Sequence, residues 1–189
     1  KTALFESSLT DRTLVNLSVS NAGELFVVTE YDNRKARIET HRFQVLKIST
    51  TDEKTIKIPF PDALTADVKF VFDNKNKCLT GAGLWAEKNK ERANGAFFTR
   101  LEIGFDTVGL IKKTPFDDQF ISVLRNKDVE DDSKGIDDCD VAQIVLRDDG
   151  GAAMVVERHY EVQRGSAGTT RMMRDARLIV DYYYDDMFI

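Results

Sequence analysis

Leu14-Val15-Asn16-Leu17-Ser18-Val19 runs into Asn21-Ala22-Gly23 and back out through Leu25-Phe26-Val27-Val28. Two short runs rich in Val and Leu, joined by residues that tolerate positive φ, are the signature of a β-hairpin. The second run is apolar without alternation, so both its faces need cover, which one sheet open to water cannot give. It ends at Glu30-Tyr31. After a polar loop come Phe43-Gln44-Val45-Leu46-Lys47-Ile48, a turn through Thr51-Asp52-Glu53, and Ile56-Lys57-Ile58-Pro59-Phe60. Four short strands in a meander follow.

The same order then recurs. Val68-Lys69-Phe70-Val71-Phe72 leads to a turn at Asp73-Asn74-Lys75-Asn76 and a run from Cys78 to Trp85. Residues 97–103, a turn at Asp106-Thr107, and Leu110-Ile111 leading to Pro115-Phe116 complete the second unit. The Pro-Phe pairs lie 56 residues apart, and the turn residues Gly23 and Asn76 lie 53 apart. Two landmarks with nearly one offset mark an internal repeat. A third unit opens at Val141-Ala142-Gln143-Ile144-Val145-Leu146, turns at Asp148-Asp149-Gly150-Gly151 and continues as Ala153-Met154-Val155-Val156-Glu157. Its third strand is expected at Asp186-Met187-Phe188-Ile189, with no fourth.

All three prolines, Pro59, Pro61 and Pro115, fall at unit ends, where a residue without an amide donor suits an outermost strand. The expected fold is all-β: repeated four-stranded antiparallel units, β-propeller-like blades, of which this chain holds about two and a half where a closed propeller needs at least about four. The boundaries read as a lead-in 1–13, units 14–61 and 62–116, an insertion 117–140, and an incomplete third unit 141–189 with an extended hairpin. Within the insertion, residues 117–125 predict a short amphipathic helix ahead of an acidic loop. A β-sandwich made from the same hairpins is the alternative.

With 189 residues, 42% apolar and 10% aromatic, the chain can bury a real core. Its 27 basic and 32 acidic residues leave a net charge of −5 without the basic stripe that nucleic-acid binding needs. No stretch approaches the roughly 18 apolar residues of a membrane helix. Lys1-Thr2-Ala3-Leu4-Phe5 offers neither an initiator Met nor a signal-peptide pattern, as expected of a processed or excised chain. Two cysteines, Cys78 and Cys139, exclude a disulfide framework and a Cys-based zinc site, and leave a single disulfide open.

Glu30 and Glu157 occupy matching places at the ends of second strands, near Tyr31 and Tyr160. Carboxylates from different blades can converge at a propeller mouth, but a solvated strand end, repeated because the unit repeats, is the expectation. His41 and His159 lack a Gly-x-Ser-x-Gly elbow and are expected at loop or strand edges. Asp128-Val129-Glu130-Asp131-Asp132 with Asp137, Asp138 and Asp140 does not match an EF-hand loop and reads as a solvated loop. Tyr182-Tyr183-Tyr184 puts aromatic rings on both faces of a strand, with Arg164, Arg171, Arg174 and Arg177 flanking its hairpin. These residues assign no catalytic, cofactor-binding or metal site. The candidate interaction surface is Tyr160, Tyr182, Tyr183, Tyr184, Asp131 and Asp132, for a protein partner first and a carbohydrate second.

The stretches 148–157 and 182–189, read as Asp-Gly-Gly, an apolar run, Glu, a Tyr-rich strand, Asp-Asp and an apolar triplet, resemble a group of uncharacterised propeller-like proteins of Bacteroidota. The resemblance implies a blade fold and a longer parent chain. Because members carry secretion signals, it also implies a periplasmic, outer-membrane-associated or extracellular setting. It implies no activity.

Overall fold

The computed structural model describes residues 12–102, 104, 108–125, 134–165 and 178–189, and these are mostly antiparallel strand. The first sheet takes β1 (Arg12–Val19), β2 (Leu25–Tyr31), β3 (Arg42–Ile48) and β4 (Glu53–Pro59) in that order. The second takes β5 (Leu64–Asp73), β6 (Cys78–Ala86), β8 (Gly95–Glu102) and β9 (Val108–Pro115). The third has β11 (Cys139–Leu146), β12 (Ala152–Gly165) and β13 (Leu178–Phe188). Two short strands, β7 (Arg92–Ala93) and β10 (Ile136–Asp137), pair with each other across the connections, a contact the sequence pattern does not signal. No closed barrel or propeller forms among the described residues.

Turn chemistry fixes the first hairpin of each sheet. Gly23, Lys77 and Gly150 hold positive φ at the same place, with φ of 80°, 51° and 83°. Lys77 can do so because the turn is held by Asp73, whose Oδ1 accepts from the amides of Lys75 and Asn76 at 2.9 Å each. The first strand of each sheet also carries a β-bulge, at Val15, Ala66 and Ala142, seen as register shifts between Leu14/Asn16, Thr65/Asp67 and Val141/Gln143. The extra residue resets the alternation, so Leu14, Leu17 and Val19 share one face of the first sheet.

The sheets stack face to face, with the second in the middle. On one side Phe26 stacks on Phe72 at 4.7 Å, Phe43 meets Phe70 at 5.3 Å, and Phe60 meets Phe97 at 4.6 Å. On the other side Leu84 packs with Ile121, Ile136, Val141 and Val156. Strand β6 is therefore covered on both faces, and its residues from Cys78 to Leu84 are all buried. Within this sheet Gly83 makes room for its neighbours, since an added Cβ would strike the Asp67 carbonyl of β5 and the Phe97 ring of β8.

Helix α1 (Asp118–Arg125) occupies the place its amphipathic pattern predicts. Asp117 Oδ1 accepts from the Phe120 amide at 2.7 Å, Arg125 lies in the last turn, and Ile121 is buried. One expectation is corrected. The third strand of the third sheet starts at Leu178, not Asp186, because the excursion after Tyr160 is itself paired, with Gly165 opposite Leu178. The hairpin tip, residues 166–177, lies outside the described residues, and with it Arg171, Arg174 and Arg177.

Candidate functional site

Strands β1, β5 and β11 begin at the same end of the stack, and a cleft of about 710 Å3 opens there. Arg12, Glu30, Asn33, Asp138, Asp140 and His159 are among its walls. Glu30 is the first surprise. Sequence reading expects a solvated strand end, whereas the carboxylate is buried, because β2 turns its Glu30 face toward the second sheet. His41, expected at an edge, is buried as well, with Phe43 and Phe60 set edge-on to its ring.

The two residues meet, His41 Nε2 lying 2.9 Å from Glu30 Oε1. His41 Nδ1 lies 2.9 Å from the Ala63 carbonyl, which only accepts, so Nδ1 carries a proton. That leaves Nε2 turned to the Glu30 carboxylate. Asn33 closes the network. Its Nδ2 donates to Glu30 Oε2 at 3.2 Å and to the Thr65 carbonyl at 2.9 Å, and its Oδ1 accepts from the Thr65 amide at 3.0 Å. The Thr65 hydroxyl is 3.3 Å from His41 Nε2. Acid and hydroxyl thus share one ring nitrogen, which is not the relay geometry of a nucleophilic triad, where they use opposite nitrogens. The network ties the first sheet to the second.

A parallel tie joins the second sheet to the third. Asp67 Oδ2 accepts from the Val141 amide at 2.7 Å, and Lys69 Nζ donates to the Ala142 carbonyl at 2.7 Å. Burial raises the Asp67 pKa above the ordinary carboxylate value, against the hydrogen bonds from Val141 and Val68 that favour its charge. Nearby, His159 Nε2 lies 3.5 Å from Asp140 Oδ2. Burial also pushes the Cys139 thiol up to about 12, so this wall of the cleft presents a protonated thiol and no thiolate nucleophile at neutral pH. Cys78 and Cys139 are both buried and free, which answers the open disulfide question. Glu157, placed opposite Asp140 in the strand register, is not in the cleft wall beside Glu30.

The tyrosine surface is partly assembled. Tyr160 and Tyr183 are register partners whose rings stack at 5.1 Å and 9°. Tyr182 points from the opposite face and is 61% exposed. Tyr184 lies opposite His159 along the backbone, while its side chain, like Asp131 and Asp132, lies outside the described residues. Among the described residues no group of three or more His, Cys, Asp or Glu is placed to hold a metal ion. No described helix is long and apolar enough to cross a membrane.

Sequence reasoning missed Asn33, Thr65 and Asp67. One signal was present: a Glu at the end of a wholly apolar strand needs a partner if that strand is buried on both faces. Comparison with family models, curated proteins and solved structures finds no match to this chain.

Proposed function

We propose that this protein is a non-enzymatic, protein-binding scaffold made of β-propeller-like blades, a subunit of a cell-envelope or secretion-related assembly. Its partner is captured on the β12–β13 hairpin. The blade reading is supported by equivalent turns meeting across the stack. The Asn21 amide donates to Asn74 Oδ1 at 2.6 Å, and Lys75 Nζ pairs with Asp148 Oδ1 at 2.8 Å. A rigid stack of this kind presents loops and hairpins while its own polar groups stay engaged between sheets.

The observation that carries the binding role is the exposed Tyr160–Tyr183 stack with Tyr182 on the reverse face. Large amphipathic rings on both faces of one hairpin suit protein contact, where tyrosine gives buried area together with a hydroxyl. A carbohydrate ligand is the second reading, favoured by the roomy cleft with Glu30 and Asp140 in its wall. The exported setting comes with the resemblance to propeller-like Bacteroidota proteins.

Native purification of the parent protein with mass spectrometry of what accompanies it separates the two. A stoichiometric protein that survives salt washing supports the scaffold reading. A lone protein that binds glycans replaces it with the carbohydrate reading.

A further inference from the structure

The two inner interfaces of the stack differ in chemistry. Between the first and second sheets lie the rings of Phe26, Phe43, Phe60, Phe70, Phe72 and Phe97, packed edge-on and face-on. Between the second and third, the buried apolar core is gathered toward the cleft end, where Leu84 meets Val141 and Val156. Farther along, Ile144 and Met154 pack against that core but are only partly buried.

The rest of this second interface is polar. Strand β6 runs from Cys78 to Leu84 without a register shift, so Cys78 and Thr80 share the face of Leu84. Opposite that face of β6 stand Asp67, Lys69 and Asp73 on β5 and Arg100 on β8. Three of them bond backbone groups of the third sheet. Asp67 accepts from the Val141 amide, Lys69 donates to the Ala142 carbonyl, and Arg100 Nη1 donates to the Gly150 carbonyl at 3.2 Å. When the sheets part, these groups bond water instead, so they set register while adding less net stability than buried aromatic area.

Both cysteines mark this interface. Cys78 is fully buried toward its turn end, Cys139 is buried in its apolar core toward the cleft end, and both thiols are free.

We infer that the third sheet comes away from the second as one unit while the first two sheets stay packed, carrying the tyrosine hairpin with it and opening both thiols to solvent. The ladder of β11, β12 and β13 is internal to the third sheet and survives the parting. The β7–β10 pair, clasped by Arg92 and Asp137 at 2.8 Å, holds the crossing chain to the second sheet. Opening then breaks the weaker of the two inner interfaces and leaves the aromatic one intact. The motion does not depend on what the hairpin binds.

Alkylation of the wild type by iodoacetamide, with the labelled cysteine located by mass spectrometry, is measured beside amide hydrogen exchange in the same conditions. Once each rate is divided by its unfolded-chain value, Cys78 opens more often than the best-protected amides of β2, and the amides of residues 152–158 in β12 open as often as Cys78. Asp67→Ala removes one bond across the second interface and raises Cys78 alkylation about 5- to 150-fold. Phe26→Leu loosens the first interface alone, so it speeds exchange in β2 and leaves Cys78 alkylation unchanged. Alkylation that rises with Phe26→Leu as far as β2 exchange does would show that the thiol emerges only when the whole molecule unfolds, and overturns the inference. So do β12 amides that stay protected while Cys78 reacts, or an Asp67→Ala variant with the wild-type rate. If Asp67→Ala does not fold, the wild type and Phe26→Leu decide. Partner capture by the hairpin is a separate measurement, so the scaffold reading stands or falls apart from this one.

Discussion

Asp67 of the second sheet and Val141 of the third are joined by a 2.7 Å hydrogen bond from the Val141 amide to the Asp67 carboxylate. Thr65, at the equivalent place just before the bulge, has its own amide held by Asn33 of the first sheet at 3.0 Å. Each new sheet is thus seated by a side chain of the sheet before it. The stack is held by directed polar contacts as well as by its phenylalanines.

Replacing Asp67 separates hydrogen bonding from charge. Asp67→Asn keeps an acceptor and removes a charge that burial penalises, so its melting temperature at pH 7 is expected to equal or exceed wild type. Asp67→Ala leaves a backbone amide without its partner and is expected to lose about 1–3 kcal/mol. The folded pKa is raised, so the folded state binds more protons than the unfolded state between 3.8 and that raised value. Stability from this group therefore falls as pH rises through that window. Thermal melts against pH check it: Asp67→Asn should flatten this part of the profile.

Asp73 gives the opposite sign. Burial works against its charge, but hydrogen bonds from Asn76 and Lys75 and the charge of Arg100 together hold its pKa below 3.8. Its contribution is complete above 3.8 and is lost as pH falls through the lower folded value. Asp73→Ala should be less stable than wild type at pH 7, by about 1–2 kcal/mol for the lost turn bonds, with the gap narrowing in acid. Urea melts at several pH values measure the gap.

The Glu30–His41 pair is buried between sheets, and removing one member strands the other. Glu30→Ala and His41→Ala are each expected to cost roughly 3–5 kcal/mol. The double variant should cost clearly less than the sum, because neither residue is then left without its partner. A double-mutant cycle by chemical denaturation reads the coupling directly, and additive losses would show that the contact holds nothing together.

Much of this fold is legible in the chain. The unbroken apolar run Leu25 to Val28 demands cover on both faces, and the recurrence of Pro-Phe marks the repeat. The amphipathic pattern of residues 117–125 marks the helix. Lys77 shows the first limit: its positive φ is set by the Asp73 carboxylate, not by a residue type that favours the conformation. The bulges at Val15, Ala66 and Ala142 leave little local trace, because an extra residue shows only against the strand it opposes. The site was the least readable part. His41 meets Glu30 through the β2–β3 hairpin, and Asp67 meets Val141 across 74 residues of chain. No spacing rule reaches those partners.

Gly83 tests the packing of neighbouring strands within the second sheet. A methyl group there strikes the Asp67 backbone, which cannot swing away as a side chain can. Gly83→Ala is expected to lose about 1–3 kcal/mol by overpacking. Gly23→Ala fills open space and meets only the strain of its positive φ, so it should lose less. Differential scanning calorimetry of the two variants ranks them.

Whether the tyrosine hairpin binds a protein is read directly by quantitative affinity capture from the source envelope fraction. Wild type is compared with a variant carrying Tyr160→Ser, Tyr182→Ser and Tyr183→Ser, whose melting temperature is first shown to match. If the hairpin is the binding surface, one stoichiometric protein is retained through a salt wash by the wild type and lost by the variant. An identical set of proteins on both, or none on either, would contradict it.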